Sequence, residues 1–375
     1  MDMLWGLVEL ETRVECYPKV MPVCEYSADQ LDNLITAVRA ADVVMTQRFS
    51  VVTAEACYQA GVLYASWIWD SPQRELYLEE AAYYTNRIFV FDKKQMERMQ
   101  DYGIGNVMYE PLAVNLTRIS SLVITDQDVE RFKSQISFVG NIRFNTNREN
   151  IIEALSVKWK DILGSLFTEK QGIWKAGDDI SYSLPEELTE EIIRYISKSD
   201  RADHCIPKEY LVQTMISDEI SCRERLQTIN ALADNFEMTM FTGDGYECKE
   251  RLSNKVNLQQ RVSYGEEMPK VFNLSGINLN VTKRSIESGV PLRVFDILGA
   301  GGFAMTDEGE EIRELFEVGK ELDVYSCIEE LQEKTAFYLQ NDRLRQQIAV
   351  NGYQRIKRDY TYPKALERML NRLVL

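Results

Sequence analysis

Charged side chains cluster in a short segment that lies between two apolar runs. Lys283 and Arg284 come first, Glu287 and Gly289 follow, and Arg293 stands a few residues further on. Lysine and arginine bind phosphate groups, and a glycine lets the backbone approach a ligand closely. These residue types therefore predict a site for an anion such as a diphosphate. An ordinary loop with solvated charges explains the same pattern equally well.

The elements around this segment would place it at the edge of a parallel sheet. Ile277, Leu279 and Val281 alternate with polar residues, as in a strand. Pro291 then marks the first turn of a helix, because proline fixes φ and its missing N–H costs nothing there. Residues 276–306 thus predict a βαβ unit, which binds ligands at the carboxyl ends of its strands. The positive end of the helix dipole would favour an anion at that place.

Composition and charge exclude several classes of protein. The 375 residues are 45% hydrophobic, which is enough for two domains with proper cores. The net charge of −16 argues against nucleic acid as a main partner, since phosphate backbones are bound by dense Lys and Arg surfaces. No apolar run reaches the roughly 20 residues of a membrane span, and the acidic start of the sequence does not resemble a signal peptide. We therefore expect a cytoplasmic protein without a membrane span.

The cysteine and histidine contents argue against metal and triad chemistry. The seven cysteines are spread along the chain and form no C-x-x-C pair, which is typical of reduced thiols without a zinc site. His204 is the only histidine, so a catalytic triad or a His-rich metal centre is close to excluded. We interpret His204 as a surface residue, and we expect no metal.

The first part of the chain, residues 1–125, is predicted to form a doubly wound, Rossmann-like domain. Helices and strands alternate there with clear boundary signals. Ser27 and Ser50 are expected N-caps, and Gly61 is expected to end a helix. A further helix is expected to run to Tyr84.

The second part, residues 126–375, is predicted to form another such domain. Its strands are interrupted by a mostly helical insertion at about 143–234. Gly299, Gly301 and Gly302 follow the helix of the βαβ unit, and we expect them to serve the helix end and close packing rather than phosphate binding.

Several segments of the sequence resemble the CgeB-like proteins, which are group-1 glycosyltransferases with the GT-B fold. The resemblance covers roughly residues 41–375, and its most specific part is PLRVFDILGAGGF at 291–303. The other segments are SFVGN at 137–141, FEVGKELDVYS at 316–326, RIKRDYTYPKALERML at 355–370, YASWIWDSP at 64–72, NRIFVFDKKQ at 86–95 and NVMYEPLAVN at 106–115. Members of this family usually begin with a β-strand, so we expect the first domain to lack its opening strand.

The resemblance implies a nucleotide-sugar donor, with a UDP-sugar expected, on the second domain and an acceptor on the first. Asp296 stands where group-1 enzymes place the second acid of an E-x7-E pair, which accepts hydrogen bonds from the ribose; the alternative is an acid that only favours the helix dipole. Arg293, one turn earlier, would contact phosphate, or else be a surface residue. Ser288 stands where the first acid is expected, so only Glu287 could substitute for it as a catalytic residue.

Further candidates for donor binding follow other strands. Gly140 and Asn141 end the first strand of the second domain, and Arg143 or Arg148 could supply charge there, although a β-turn with solvated arginines is an equal alternative. Two glycines and a tyrosine complete the donor-binding set: Gly243, Gly245 and Tyr264. Tyr264 could stack on the base, but we consider a core position the better interpretation.

Two aspartates of the first domain end apolar strands. Asp70 could act as a general base on an acceptor hydroxyl, or it could cap the helix that follows. We favour capping slightly. Asp92 has the same two interpretations and a weaker claim to catalysis.

Together these observations predict transfer of a hexosyl unit from a nucleotide sugar to an acceptor hydroxyl, without a metal or cofactor. The helix dipole and the arginines would stabilise the charge of the leaving diphosphate. Two rival hypotheses stay open. One is a nucleotide-sugar epimerase on the same architecture, and the other is a non-catalytic scaffold or partner subunit.

Overall fold

The computed structural model describes residues 2–17, 26–71, 73–142, 145–170, 184–196, 208–244 and 246–373. Within them the chain forms two parallel β-sheets, one of four strands and one of six. The predicted α/β fold class is therefore confirmed. Arg143, His204 and Gly245 lie outside the described residues.

The four-stranded sheet is built from the first part of the chain in the order β1-β2-β3-β4. Its strands are β1 Val43–Thr46, β2 Leu63–Trp67, β3 Asn86–Val90 and β4 Val107–Tyr109. Its helices are α1 Asp2–Glu9, α2 Ala28–Val38, α3 Val51–Ala60 and α4 Lys93–Asp101. The predicted signals are confirmed, because Ser27 forms a capping box with Gln30, Ser50 caps α3, and Gly61 ends α3 with a φ of 69°.

The helix predicted to run to Tyr84 is wrong. The chain forms two short 3-10 turns instead, at Arg74–Tyr77 and Glu79–Ala82. Leu76 and Leu78 are both buried although they lie only two residues apart, and Leu78 is extended with a φ of −83° and a ψ of 152°. An α-helix would turn these two side chains to different faces, so burial of both breaks the helix.

The six-stranded sheet has the order β10-β9-β8-β5-β6-β7, and all its pairs are parallel. Its strands are β5 Ser134–Val139, β6 Met238–Thr242, β7 Asn257–Gln260, β8 Ser275–Asn280, β9 Ala304–Asp307 and β10 Asp323–Tyr325. Among the described residues between β5 and β6 there are four helices: α7 Thr146–Ala154, α8 Val157–Lys170, α9 Glu186–Tyr195 and α10 Lys208–Ala233. The later crossovers are α11 Tyr246–Arg251, α12 Glu267–Leu274, α13 Leu292–Gly299 and α14 Glu310–Leu315.

Two short helices connect the sheets, and three long ones end the described chain. The connecting helices are α5 Leu116–Ser120 and α6 Asp126–Phe132. The last three are α15 Ile328–Gln340, α16 Asp342–Asp359 and α17 Tyr362–Asn371. The last of these packs against α1, where a Cβ added at Gly6 would lie 2.9 Å from the Cβ of Tyr362. The chain therefore returns from the second sheet to the first.

One hydrophobic core joins the two sheets. Trp67 and Phe89 of the first sheet belong to the same buried cluster as Phe272, Phe295 and Tyr362. The insertion between β5 and β6 has a separate buried cluster of its own. No helix in the described ranges is long and apolar enough to cross a membrane.

The glycines after α13 shape the end of that helix, as expected. Gly301 has a φ of 75°, which favours glycine, and it reverses the chain after the helix. A Cβ at Gly302 would lie 2.5 Å from the carbonyl oxygen of Phe272, so only glycine fits there without movement. These two residues fix how α13 meets the sheet.

Candidate functional site

The βαβ unit predicted from the sequence is formed by β8, α13 and β9. Pro291 precedes α13 with a φ of −67°, which is the conformation that proline favours. The first backbone N–H groups of α13 have no partner within the helix, as at every helix start, and they carry the positive end of its dipole. The loop from Val281 to Pro291 lies between this helix start and the carboxyl end of β8.

Asp296 is buried in the middle of α13 with 4% of its surface exposed. The hydroxyl of Tyr264 donates a hydrogen bond to its Oδ1 at 3.2 Å. Burial raises the pKa of Asp296 to about 7, and the nearby Arg293 charge and the Tyr264 hydroxyl only partly oppose that shift. The carboxyl group therefore changes charge near neutral pH.

Arg293 lies along the neighbouring helix α12. Its Nη1 is 2.6 Å from the sulfur of Met268, and its guanidinium carbon is 5.6 Å from the centre of the Phe272 ring. Burial lowers its pKa, while the Asp296 carboxylate opposes that effect. The alternative of an ordinary surface arginine is therefore wrong.

Tyr264 lies at the surface, so its expected core position is wrong. The whole residue is 42% exposed. The guanidinium of Arg118 lies 5.0 Å from the centre of its ring, and an Arg118 N–H also donates to the carbonyl of Gly265 at 2.6 Å. The tyrosine is thus partly exposed, with Arg118 over its ring and its hydroxyl bonded to Asp296.

The loop residues Glu287, Ser288 and Gly289 contact the first sheet. The N–H of Glu287 donates to Asp92 Oδ2 at 2.7 Å, and the Ser288 hydroxyl lies 2.8 Å from Asp92 Oδ1. A Cβ at Gly289 would lie 2.6 Å from the carbonyl oxygen of Phe91. This part of the loop is therefore packed directly against the carboxyl end of β3.

Glu287 is paired across the same interface. Its carboxylate forms an ion pair with Arg98 of α4. Burial raises the pKa of Glu287, and the Arg98 charge opposes that shift. A raised pKa suits a carboxyl group that exchanges a proton during a reaction.

Lys283 and Arg284 are held by acids of α10. Lys283 lies 3.1 Å from Asp218, and the Nε of Arg284 donates to both carboxylate oxygens of the buried Glu224, at 2.9 and 3.0 Å. The backbone N–H of Arg284 also donates to the Ser221 hydroxyl at 2.8 Å. The two charges thus tie the loop to the helical insertion.

The ends of β5, β6 and β8 are tied together by polar groups. The Asn141 side-chain oxygen accepts from the N–H of Gly243 at 3.1 Å, which places these two predicted residues side by side. Gly140, just before them, donates its N–H to the carbonyl of Phe241. Arg225 donates to the carbonyls of Asn141 and Val281 at 2.7 and 3.0 Å.

Arg148 and Asp70 lie in different environments from those expected. Arg148 is buried and pairs with Glu219 at 2.8 Å, so the alternative of a solvated arginine is wrong for it. Asp70 does not cap a helix, because the next turn begins at Arg74. Its side chain is 66% exposed and 3.9 Å from Arg48.

Asp92 is the N-cap of α4, and its Oδ1 accepts from the N–H of Gln95 at 3.1 Å. The capping interpretation is therefore confirmed. The sequence did not predict the hydrogen bonds that Asp92 accepts from residues 287 and 288. Arg118 and Arg225 were missed as well. Their sequence neighbours carry no motif, and only the fold brings them to the predicted segment.

The second half of the chain matches a known family model. Residues 223–371, which contain Asp296 and all of α13, match the family described as "Glycosyl transferase-like". None of the curated proteins matches this chain.

Solved structures share the overall fold. HepE from Anabaena in complex with UDP-glucose has a TM-score of 0.56 and 11% identity, over 92% of this chain and 81% of that one. A glycosyltransferase from Rickettsia africae has a TM-score of 0.51 and 10% identity, over 99% and 86%. Sucrose-phosphate synthase from Thermosynechococcus elongatus has a TM-score of 0.50 and 10% identity, over 96% and 85%. The two parallel sheets therefore match the GT-B fold, as the fold-class prediction stated.

Proposed function

We propose that this protein is a glycosyltransferase that moves a hexosyl unit from a UDP-sugar to an acceptor hydroxyl. The observation that carries the proposal is the buried Asp296 on α13, beside Tyr264, in the part of the chain that matches the glycosyltransferase-like family. The likeness to HepE, which was solved with UDP-glucose, supports a UDP-sugar as the donor.

The donor would lie on the second sheet. The Asp296 carboxylate would accept hydrogen bonds from the ribose hydroxyls, and the ring of Tyr264, a residue that is 42% exposed, would stack on the base. The diphosphate would lie at the start of α13, where the helix dipole stabilises the charge of the leaving group, with Arg293 as the nearest cation of the helix. The proposed mechanism uses the helix dipole and Arg293, rather than a metal, to stabilise the leaving diphosphate.

The acceptor would enter from the first sheet. We assign residues 1–125 to the acceptor domain and 126–375 to the donor domain, in a cytoplasmic enzyme of the CgeB-like type. Glu287 and Asp70 are the candidate catalytic carboxylates. Glu287 is paired with Arg98 in the closed interface, so it would act after that pair opens. Asp70 is already accessible.

The contact of the loop with the first sheet also favours a second candidate function. Residues 287–289 pack on Asp92 and Phe91 without a wide gap, as they would in a scaffold that binds no substrate. The transferase proposal requires this interface to separate when donor and acceptor enter. The scaffold proposal requires it to stay closed.

Calorimetric titration with UDP and UDP-glucose distinguishes the two. We expect binding of both, and we expect Asp296→Ala to weaken it roughly tenfold to a hundredfold, because charge-assisted hydrogen bonds are lost. Asp234→Ala, which changes an exposed acid at the end of the insertion, is the control and should bind as the unchanged protein does. Absence of binding in the unchanged, folded protein would leave the scaffold function ahead.

A further inference from the structure

A second anion-binding group of side chains adjoins the proposed donor site. Asp2, the first residue of α1, places its carboxylate between α1 and α5. Arg118 donates to it from Nε and Nη2, both at 3.2 Å, and Asn115 donates from Nδ2 at 3.2 Å. The Asp2 side chain is largely buried there. Three N–H groups thus converge on one carboxylate.

This group is continuous with the donor site through Tyr264. The Arg118 guanidinium lies 5.0 Å from the centre of the Tyr264 ring, and the Tyr264 hydroxyl donates to Asp296. Arg118 is also fixed to the backbone of this loop by its bond to Gly265. The planar fork of an arginine suits phosphate as well as carboxylate, because both present two oxygens at similar spacing.

We propose that Arg118 is a further donor-binding residue that contacts the nucleoside diphosphate, and that Asp2 occupies its place as an internal competitor. The inference rests on the proposed function, since it names how the same site is regulated. The donor must displace the Asp2 carboxylate before Arg118 can bind it.

The displacement needs only a small movement. Asp2 is the first residue of α1, and the first turn of a helix opens readily. The rest of α1 is held in place, because Leu7 belongs to the common core and Gly6 fits closely against Tyr362 and Leu366 of α17. One turn can therefore unwind while the helix stays docked.

The test is calorimetric titration of UDP with three single variants and one double variant of the full chain. Asp2→Asn keeps the shape and removes the competing charge, so we expect UDP to bind on the order of threefold to tenfold more tightly. Glu9→Gln is the matched control, because Glu9 lies on the same helix and accepts a hydrogen bond from Thr117 of α5. It should leave the affinity unchanged. Arg118→Gln should weaken binding. Adding Asp2→Asn to that variant should have no further effect.

Hydrogen exchange of α1 gives an independent measurement. The N–H of Gly6 is the first that can donate to a carbonyl of this helix, so UDP should accelerate its exchange in the unchanged protein and leave the end of α1 protected. If UDP binds in a way that depends on Asp296 but on neither Asp2 nor Arg118, the proposed function stands and this inference is wrong. If UDP binds to no folded variant, both are wrong.

Discussion

At the scale of single residues, Asp296 makes donor binding depend on pH. Its pKa of about 7 means that the carboxyl group is mostly protonated at pH 6 and mostly ionised at pH 8. Only the carboxylate can accept two hydrogen bonds from the ribose diol. We therefore expect the affinity for UDP to rise on the order of tenfold between pH 6 and pH 8, as measured by calorimetry.

Asp296→Asn is the control for this prediction, because UDP itself titrates near the same pH. The variant should bind more weakly and lose most of the pH dependence. An unchanged pH dependence would show that it comes from titration of UDP.

The raised pKa of Asp296 has a second consequence, which needs no ligand. Because the folded pKa of Asp296 lies above its ordinary 3.8, ionisation favours unfolding, and stability contributed by this residue falls as pH rises from about 4 to 7.

The two ion pairs that hold the loop should differ strongly in their effect on stability. Arg284 and Glu224 form a buried pair, whereas Lys283 and Asp218 are both partly exposed. Glu224→Ala leaves a buried charge behind, so we expect a loss of about 3–5 kcal/mol in the free energy of unfolding. Lys283→Ala should cost less than about 1 kcal/mol. Urea denaturation followed by tryptophan fluorescence measures both, and equal losses would contradict the distinction.

At the scale of elements, the sequence predicted those whose signals are local. Ser27, Ser50 and Gly61 define helix ends by bonds within a few residues, so these ends could be placed without the structure. The stretch after β2 could not, because burial of Leu76 and Leu78 against the sheet decides its conformation. The prediction that Asp70 caps a helix was wrong for the same reason, since the helix it would cap does not form there.

The close approach of α13 to its neighbours gives a prediction about packing. A Cβ at Gly302 would lie 2.5 Å from the Phe272 carbonyl and 2.6 Å from Asn278 Nδ2, and neither group can move without losing a hydrogen bond. We expect Gly302→Ala to destabilise the protein by at least about 1–3 kcal/mol in urea denaturation. Gly105→Ala is the control, because nothing lies within 4 Å of its added Cβ and its φ is not positive. A similar loss in both variants would show that close packing is not the cause.

At the scale of the whole molecule, the contacts that join the two sheets could not be predicted from the sequence. Asp92 and Ser288 lie 196 residues apart, and Asp2 and Arg118 lie 116 residues apart. The spacing of residues within a motif carries no information about such pairs. The sequence therefore predicted the βαβ unit that carries Asp296. Only the fold showed that the loop of this unit packs against the carboxyl end of β3.

The Ser288 hydroxyl links two buried acids across this interface, and it carries one hydrogen. Its oxygen lies 2.8 Å from Asp92 Oδ1 and 2.7 Å from Glu311 Oε1, and it also accepts from the N–H of Lys94 at 3.1 Å. One hydroxyl cannot donate to both carboxylates, so the closed arrangement is satisfied when Glu311 is protonated and donates to Ser288. Burial raises the pKa of Glu311 and the like charge of Asp92 adds to this, while the hydrogen bond from the Lys93 N–H partly opposes it.

The interface should therefore open as the pH rises. A protonated Glu311 stabilises the closed form below its raised pKa, and that contribution is lost as the pH passes through it. We expect the radius of gyration from small-angle X-ray scattering to increase as the pH rises from 4.5, the ordinary pKa of a glutamate, to above the raised pKa of Glu311. Glu311→Gln carries a donor at every pH and should stay closed, whereas Glu310→Gln, on the exposed neighbour that pairs with Lys94, should open like the unchanged protein. If Glu311→Gln opens over the same pH range, another group controls the separation of the sheets, and the Ser288 contacts only follow it.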